Sequence, residues 1–186
     1  EALVVFGVEA RGFFARAFKA AGAEVIGVDI SHELIDIAKN YKGDVEYFVA
    51  PSHKLDFIPS GSMDKVALVL ALQNIEKANE TFMECARVIK ADGSLVIVLN
   101  HPVFRVPKES SWGFDEKSET QYRRIDRYMS EYKVSINMHP GEKDSTFTAS
   151  FHRPLQFYFK ALKSAGFMIR TVHELISNKV SAPGKR

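Results

Sequence analysis

"VVFGVEARG", Val4 to Gly12, is an apolar run that breaks into a glycine-flanked turn and then a helical pattern. A strand-to-helix turn of this kind is normally built from bare glycines, because the backbone must take positive φ and approach its surroundings closely. Only Gly7 and Gly12 are present; Val8 and Ala10 stand between them. Upstream, "ALVVF" predicts a strand over Ala2–Phe6. Downstream, Phe14, Ala17, Phe18 and Ala21 recur at helical spacing up to a stop at Gly22.

The same alternation continues outward. "AEVIGVD" (Ala23–Asp29) predicts a second strand ending in an acid, and Ser31 is a fitting N-cap for "HELIDIAKNY". "DVEYFVA" (Asp44–Ala50) predicts a third strand. "MDKVALVLAL" predicts a fourth, nearly continuous in apolar residues, as a strand covered on both faces should be. "NETFMECARVIKADG" predicts a helix closing at Gly93, and "SLVIVLN" (Ser94–Asn100) a fifth strand. Alternating strands and helices predict an open parallel sheet with right-handed crossovers. The pattern then breaks: a helix is expected around Tyr122–Ser130, and "EYKVSINM" alternates like an edge strand. Regular spacing returns with a helix in "PLQFYFKALKSAGF" and a last strand in "MIRTVHELI". Residues 1–186 therefore read as one domain, with 101–152 as an insertion after the fifth strand.

Composition bounds the function. With 186 residues and 46% hydrophobic content the chain can bury one sizeable core. The formal net charge of +2 offers no general case for a nucleic-acid or membrane partner. From Arg105 to Lys133 seven basic residues are offset by six acids, a balanced segment and not a phosphate-tracking groove. The single cysteine, Cys85, excludes an intramolecular disulfide and fits a reducing compartment, so a cytoplasmic location is expected. No apolar run approaches the length of a membrane span, and no charged leader with an apolar segment opens the chain. Because the chain lacks an initial Met and ends on "SAPGKR", residues are expected to be missing at either end.

Ligands of parallel sheets sit at the carboxyl ends of the strands. Asp29 is the sharpest signal there: a carboxylate ending the second strand, 17 residues beyond Gly12, can accept both hydroxyls of a ribose. Its plainer role is to precede the Ser31 cap.

At this point the chain resembles the class I S-adenosylmethionine-dependent methyltransferases, especially the small-molecule group called type 11. "GAEVIGVDISHELIDIAK" looks like that family's second motif. "GSMDKVALVLALQNIE" resembles its fourth-strand motif, with Met63-Asp64 for the opening dipeptide and Leu72-Gln73-Asn74 for the segment that follows. "ECARVIKADGSLVIVLNHP" and "SFHRPLQFYFKALKSAGF" are similar to its later segments, in the same order. The resemblance implies a Rossmann-like, doubly wound α/β fold with helices on both faces of a mainly parallel sheet and a substrate-side lid at 101–152. It implies S-adenosyl-L-methionine as cofactor and a small-molecule methyl acceptor.

Laid over the family's first motif, "VVFGVEARG" keeps the last glycine as Gly12. Phe6 stands where the acid would be, and Val8 and Ala10 where two glycines would be. Pro51 stands where an adenine-binding acid is common, which passes that contact to Ser52 or His53. The implied cofactor set is Phe6, Gly7, Val8, Gly12, Asp29, Ile30, Ser52, His53, Val69, Leu70 and Gln73. In the insertion, Trp112, Tyr122, Arg124, Tyr128 and Arg153 are candidate acceptor contacts, although "QYRRIDRY" can equally be a solvated helix held by Arg–Asp pairs. His101 and His152 are candidates for deprotonating the acceptor. No metal-ligand spacing is present, so no metal is expected. The departures at Phe6, Val8, Ala10 and Pro51 keep a second reading open: a methyltransferase fold with weakened or lost cofactor binding, acting as a binding or regulatory subunit. A nicotinamide-dependent oxidoreductase is a third and weaker one.

Overall fold

A computed structural model describes residues 1–7, 11–104, 106–137 and 147–176. Five parallel strands form the central sheet: β1 (Ala2–Phe6), β2 (Glu24–Asp29), β3 (Glu46–Val49), β4 (Met63–Val69) and β5 (Ile89–Val98). Their order is β3-β2-β1-β4-β5, so the chain winds outward twice from the β1/β4 pair. The sidedness follows from the period of two along a strand. Leu3 and Val5 of β1 join a core with Ala15 of α1 (Phe13–Ala20) and Ile35 and Ala38 of α2 (His32–Lys39). Val4 and Phe6 join the opposite core with Phe82, Cys85 and Val88 of α3 (Ala78–Val88) and Tyr158, Ala161 and Leu162 of α4 (Leu155–Ser164). Helices thus cover both faces, as expected.

Ser31 caps α2 as its sequence position suggested: its Oγ accepts the Leu34 N–H at 3.2 Å. Across the sheet, Glu84 and Arg87 of α3 hold the 55–60 loop. Glu84 accepts the Leu55 N–H at 2.7 Å and a two-pronged bond from Arg87, whose guanidinium also donates to the Leu55 and Ile58 carbonyls. The Arg87 hydrogen bond above all, with the Leu55 N–H adding to it against the opposing effect of burial, holds the Glu84 carboxyl below its ordinary value. A depressed folded-state value stabilises above the unfolded value and is lost as pH falls through the folded one. Glu84→Gln is therefore expected to cost about 1–2 kcal/mol near neutrality. Urea melts should show the gap to the parent chain closing as the pH drops below about 4.

Three expectations fail. The helix expected to close at Gly93 ends at Val88, because Ile89 already pairs with Met63 and β5 begins there, with a register shift before Lys65↔Ser94. The helix expected around Tyr122–Ser130 is instead the second arm of a hairpin, β6 (Ser110–Asp115) with β7 (Thr120–Ile125), in which Trp112 pairs with Arg123 and Ser111 with Arg124. The last expected strand, in "MIRTVHELI", is not one. Residues 168–176 form no ladder with the described strands, and Met168, Leu175 and Ile176 stand in solvent; without a partner for its backbone groups an alternating pattern makes no strand. The edge strand in "EYKVSINM" is present as β8 (Tyr132–Asn137), antiparallel to β9 (Phe147–His152).

Candidate functional site

The order β3-β2-β1-β4-β5 puts the topological switch between β1 and β4, where open α/β sheets form their ligand crevice. Phe6 pairs with Val28 on one side and Leu68 on the other. Both ladders end there: Gly7 follows Phe6, as Asp29 follows Val28 in β2 and Val69 follows Leu68 in β4. Gly7 has φ +81°, and a Cβ there would stand 2.9 Å from both the Val69 carbonyl and the Ala71 Cβ. It is a required glycine of the crevice and not an incidental one.

Left-handed backbone recurs around the strand ends. Besides Gly7, Arg11 (φ +56°), Gly12 (φ +74°) and Leu70 (φ +52°) adopt it, all at the carboxyl ends of β1 and β4 or the start of α1. For Arg11 and Leu70 each such conformation costs about 1–2 kcal/mol, and strain of this kind collects where a site needs a fixed shape. Leu70 is held by its N–H on the Val98 carbonyl at 2.8 Å, and Gln73 Nε2 donates to the Leu70 carbonyl. The Gln73 side-chain oxygen is buried and has no partner among the described residues.

Asp29 receives the Ser31 N–H at 2.9 Å, so the plain role and the ligand-facing position coexist. Ile30 beside it is 73% exposed, an apolar side chain offered to whatever fills the crevice. Phe6 is buried in the core beneath the α3/α4 layer. Ser52 shares a 2.9 Å hydrogen bond with Thr81 and is tied to the start of α3; His53 Nε2 lies 3.4 Å from the Lys77 ammonium. Val8 and Ala10 of the first turn, like Arg105 of the insertion, lie outside the described residues.

The structure divides the expected acceptor contacts into two groups. Trp112, Tyr122 and Arg124 ride on the β6–β7 hairpin and are exposed, with Arg124 paired to Asp126 at 2.9 Å and Trp112 stacked on Arg123. Tyr128 and Arg153 belong to a tight base beneath it. The Tyr128 hydroxyl accepts the Leu155 N–H, and Arg153, 6% exposed, donates to the Ile75 and Glu76 carbonyls while its guanidinium lies over Phe151 and Phe157. Arg153 was not legible as an anchor, because the carbonyls it meets belong to another element.

The two histidines differ in their partners. His101 Nδ1 accepts the Val103 N–H and its Nε2 donates to Glu174 at 2.6 Å. His152 is buried at 4% exposure beside the rings of Tyr128 and Tyr132, and its Nε2 donates to the Tyr128 carbonyl at 2.8 Å. In the neutral ring that leaves Nδ1 as the basic nitrogen. Burial pushes the Cys85 thiol up to about 12, so it stays protonated and unreactive near neutrality.

Comparison with known proteins agrees with this geometry. Residues 7–97 match the model of a methyltransferase domain. A demethylmenaquinone methyltransferase of Thermotoga maritima is 32% identical over 80 residues, which are 43% of this chain and 34% of that protein; the chain thus spans about a third of that relative's length. An S-adenosylmethionine-dependent methyltransferase from Mesorhizobium loti superposes with a TM-score of 0.77 at 26% identity, covering 94% of this chain and 77% of the other. The fold also matches a protein of Listeria monocytogenes with a TM-score of 0.72 at 24% identity, covering 91% and 78% of the two chains.

Proposed function

We propose that the chain, whose residues 7–97 match a methyltransferase-domain model and whose fold is that of an S-adenosylmethionine-dependent methyltransferase, is a cytoplasmic class I enzyme transferring the methyl group of S-adenosylmethionine to a small-molecule acceptor. The observation that carries the reading is the crevice at the switch point. There β1 ends in a required glycine packed on Val69 and Ala71, the neighbouring β2 ends in Asp29, and the strained Leu70 follows the end of β4. The missing side chain at Gly7 lets β1 end tightly against the Val69 carbonyl and Ala71 and gives the turn its positive φ, and the Asp29 carboxylate at the end of the neighbouring strand is the partner that ribose hydroxyls need. These residues fit the cofactor.

In this assignment Asp29 accepts the ribose hydroxyls and Ile30 packs against the adenine, with Ser52 and His53 on its polar edge. Gly7 and Gly12 line the methionine part, and Val69, Leu70 and Gln73 wall the crevice; Phe6, expected among these contacts, is instead a core residue beneath α3 and α4, and Val8 lies outside the described residues. The bound cofactor supplies a methyl on a sulfonium, whose departure needs no covalent help from the protein. What the chain adds is proximity and alignment for in-line displacement. Residues 101–152 act as the lid. Trp112, Tyr122 and Arg124 are its exposed recognition set, and Tyr128 and Arg153 fix its base. His152 Nδ1, or His101 once released from Glu174, takes the acceptor's proton.

The Thermotoga relative is named for demethylmenaquinone, which makes a reduced quinone the first acceptor to try. Incubation with methyl-tritiated S-adenosylmethionine and a panel of reduced quinones, phenols and small amines should label one acceptor class. If tritium stays in the cofactor with every member while the cofactor binds, the small-molecule assignment fails.

A further inference from the structure

The first turn keeps one of its three expected glycines, Gly12, and ends in two consecutive left-handed residues, Arg11 and Gly12. Gly12 adopts φ +74° freely. Arg11 does not, and something must hold it. The Arg16 guanidinium, one turn into α1, donates from Nη1 to the Arg11 carbonyl. It lies over the Tyr41 ring at 4.6 Å, and the Tyr41 hydroxyl receives a 3.0 Å bond from Arg11 Nη1. The stem of Arg16 passes so close to Gly43 that a Cβ there would stand 2.9 Å from its Cγ and Cδ. On the other side, the buried Tyr47 hydroxyl occupies the space that a Gly12 Cβ would take, and Arg16 Nη1 stands 3.1 Å from the same point. Three stretches of chain, 11–12, 41–43 and Tyr47 of β3, therefore converge on one side chain.

We propose that Arg16 is a positioning residue for the cofactor crevice: seated on Tyr41 and Gly43, it grips the Arg11 carbonyl and fixes the left-handed corner from which α1 starts. The corner leads directly into α1, so its geometry sets where the backbone of Arg11 and Gly12 meets the methionine part of the ligand. The sequence has Val8 and Ala10 where the family pattern has glycines, and at Arg11 the Arg16 clasp fixes by side-chain contacts a left-handed conformation that a glycine would adopt by freedom. The inference rests on reading the crevice as the S-adenosylmethionine site.

The chemistry predicts a specific rescue. In Arg16→Leu the corner loses its grip and Arg11 relaxes out of the left-handed region. In Arg16→Leu/Arg11→Gly the corner no longer needs holding, because glycine takes positive φ without strain. Calorimetric titration with S-adenosylhomocysteine should find Arg16→Leu roughly tenfold weaker than the parent chain and the double variant back within about twofold. Val88→Ala, a cavity in the opposite core, should lower the melting temperature without changing this affinity, which separates positioning from general destabilisation. Unchanged affinity in Arg16→Leu, or no recovery on adding Arg11→Gly, overturns the proposal.

Should the parent chain itself fail to bind, the crevice assignment falls, and ligand-free melting decides the clasp alone. Arg16→Leu must then melt lower and the double variant must recover. Equal melting of parent and Arg16→Leu overturns the clasp as well.

Discussion

Gly7→Ala is expected to lose about 2–4 kcal/mol of stability and most of the affinity for S-adenosylhomocysteine. Two costs combine. The first is about 1–2 kcal/mol for a Cβ at φ +81°. The second is about 1–3 kcal/mol of overpacking, since the added carbon would meet the Val69 carbonyl and the Ala71 Cβ at 2.9 Å. Relief by movement is poor: Val69 belongs to β4, which is paired on both edges, and Leu70 next to it is already strained and fastened to β5. Any shift that accommodates the methyl must therefore move the wall of the crevice, which couples the stability loss to the binding loss. Urea melts and ligand titration of the same preparation check both. A midpoint shift worth less than about 0.5 kcal/mol would mean that the close approach of β1 and β4 is not as described.

Asp29→Ala carries the second large effect, and it is confined to binding. A carboxylate accepting two hydroxyls contributes about 2–3 kcal/mol through charge-assisted hydrogen bonds, so affinity for S-adenosylhomocysteine should fall about 30- to 150-fold. Stability should change little, because Asp29 is partly exposed and Ser31 retains its own cap on Leu34. Asp29→Asn keeps an acceptor for the Ser31 N–H and loses the charge, so it should fall between the two. An alanine variant that binds like the parent would return Asp29 to its plain role beside the α2 cap.

The sheet was legible because its strands are local patterns. β1, β2 and β4 are apolar runs bounded by turn residues, and each lies where its run lies. Asp29 was legible for a related reason, since strand end and acid coincide in one short stretch. The hairpin of the insertion was not. "QYRRIDRY" carries Arg and Asp at spacings that suit a helix face, and what makes it a strand is Trp112 opposite Arg123, eleven residues away in sequence. Helix α3 was read too long because Ile89 pairs with Met63 across the sheet, a contact absent from the local pattern.

The Arg16 clasp escaped for the same reason, being assembled from α1, the end of α2 and β3. It left one trace in the sequence: glycines at 12 and 43, where the Tyr47 hydroxyl and the Arg16 stem need the room of a side chain. Gly12 had been assigned to the cofactor on family likeness alone. Its packing against Tyr47 is a second requirement that the motif does not record.

The central claim is that the altered first turn still forms a working cofactor crevice, and calorimetric titration of the chain with S-adenosylhomocysteine tests it most directly. Saturable binding in the micromolar range, weakened at least thirtyfold by Asp29→Ala, is the predicted result. No detectable heat up to millimolar ligand, from a preparation that melts cooperatively, would contradict it.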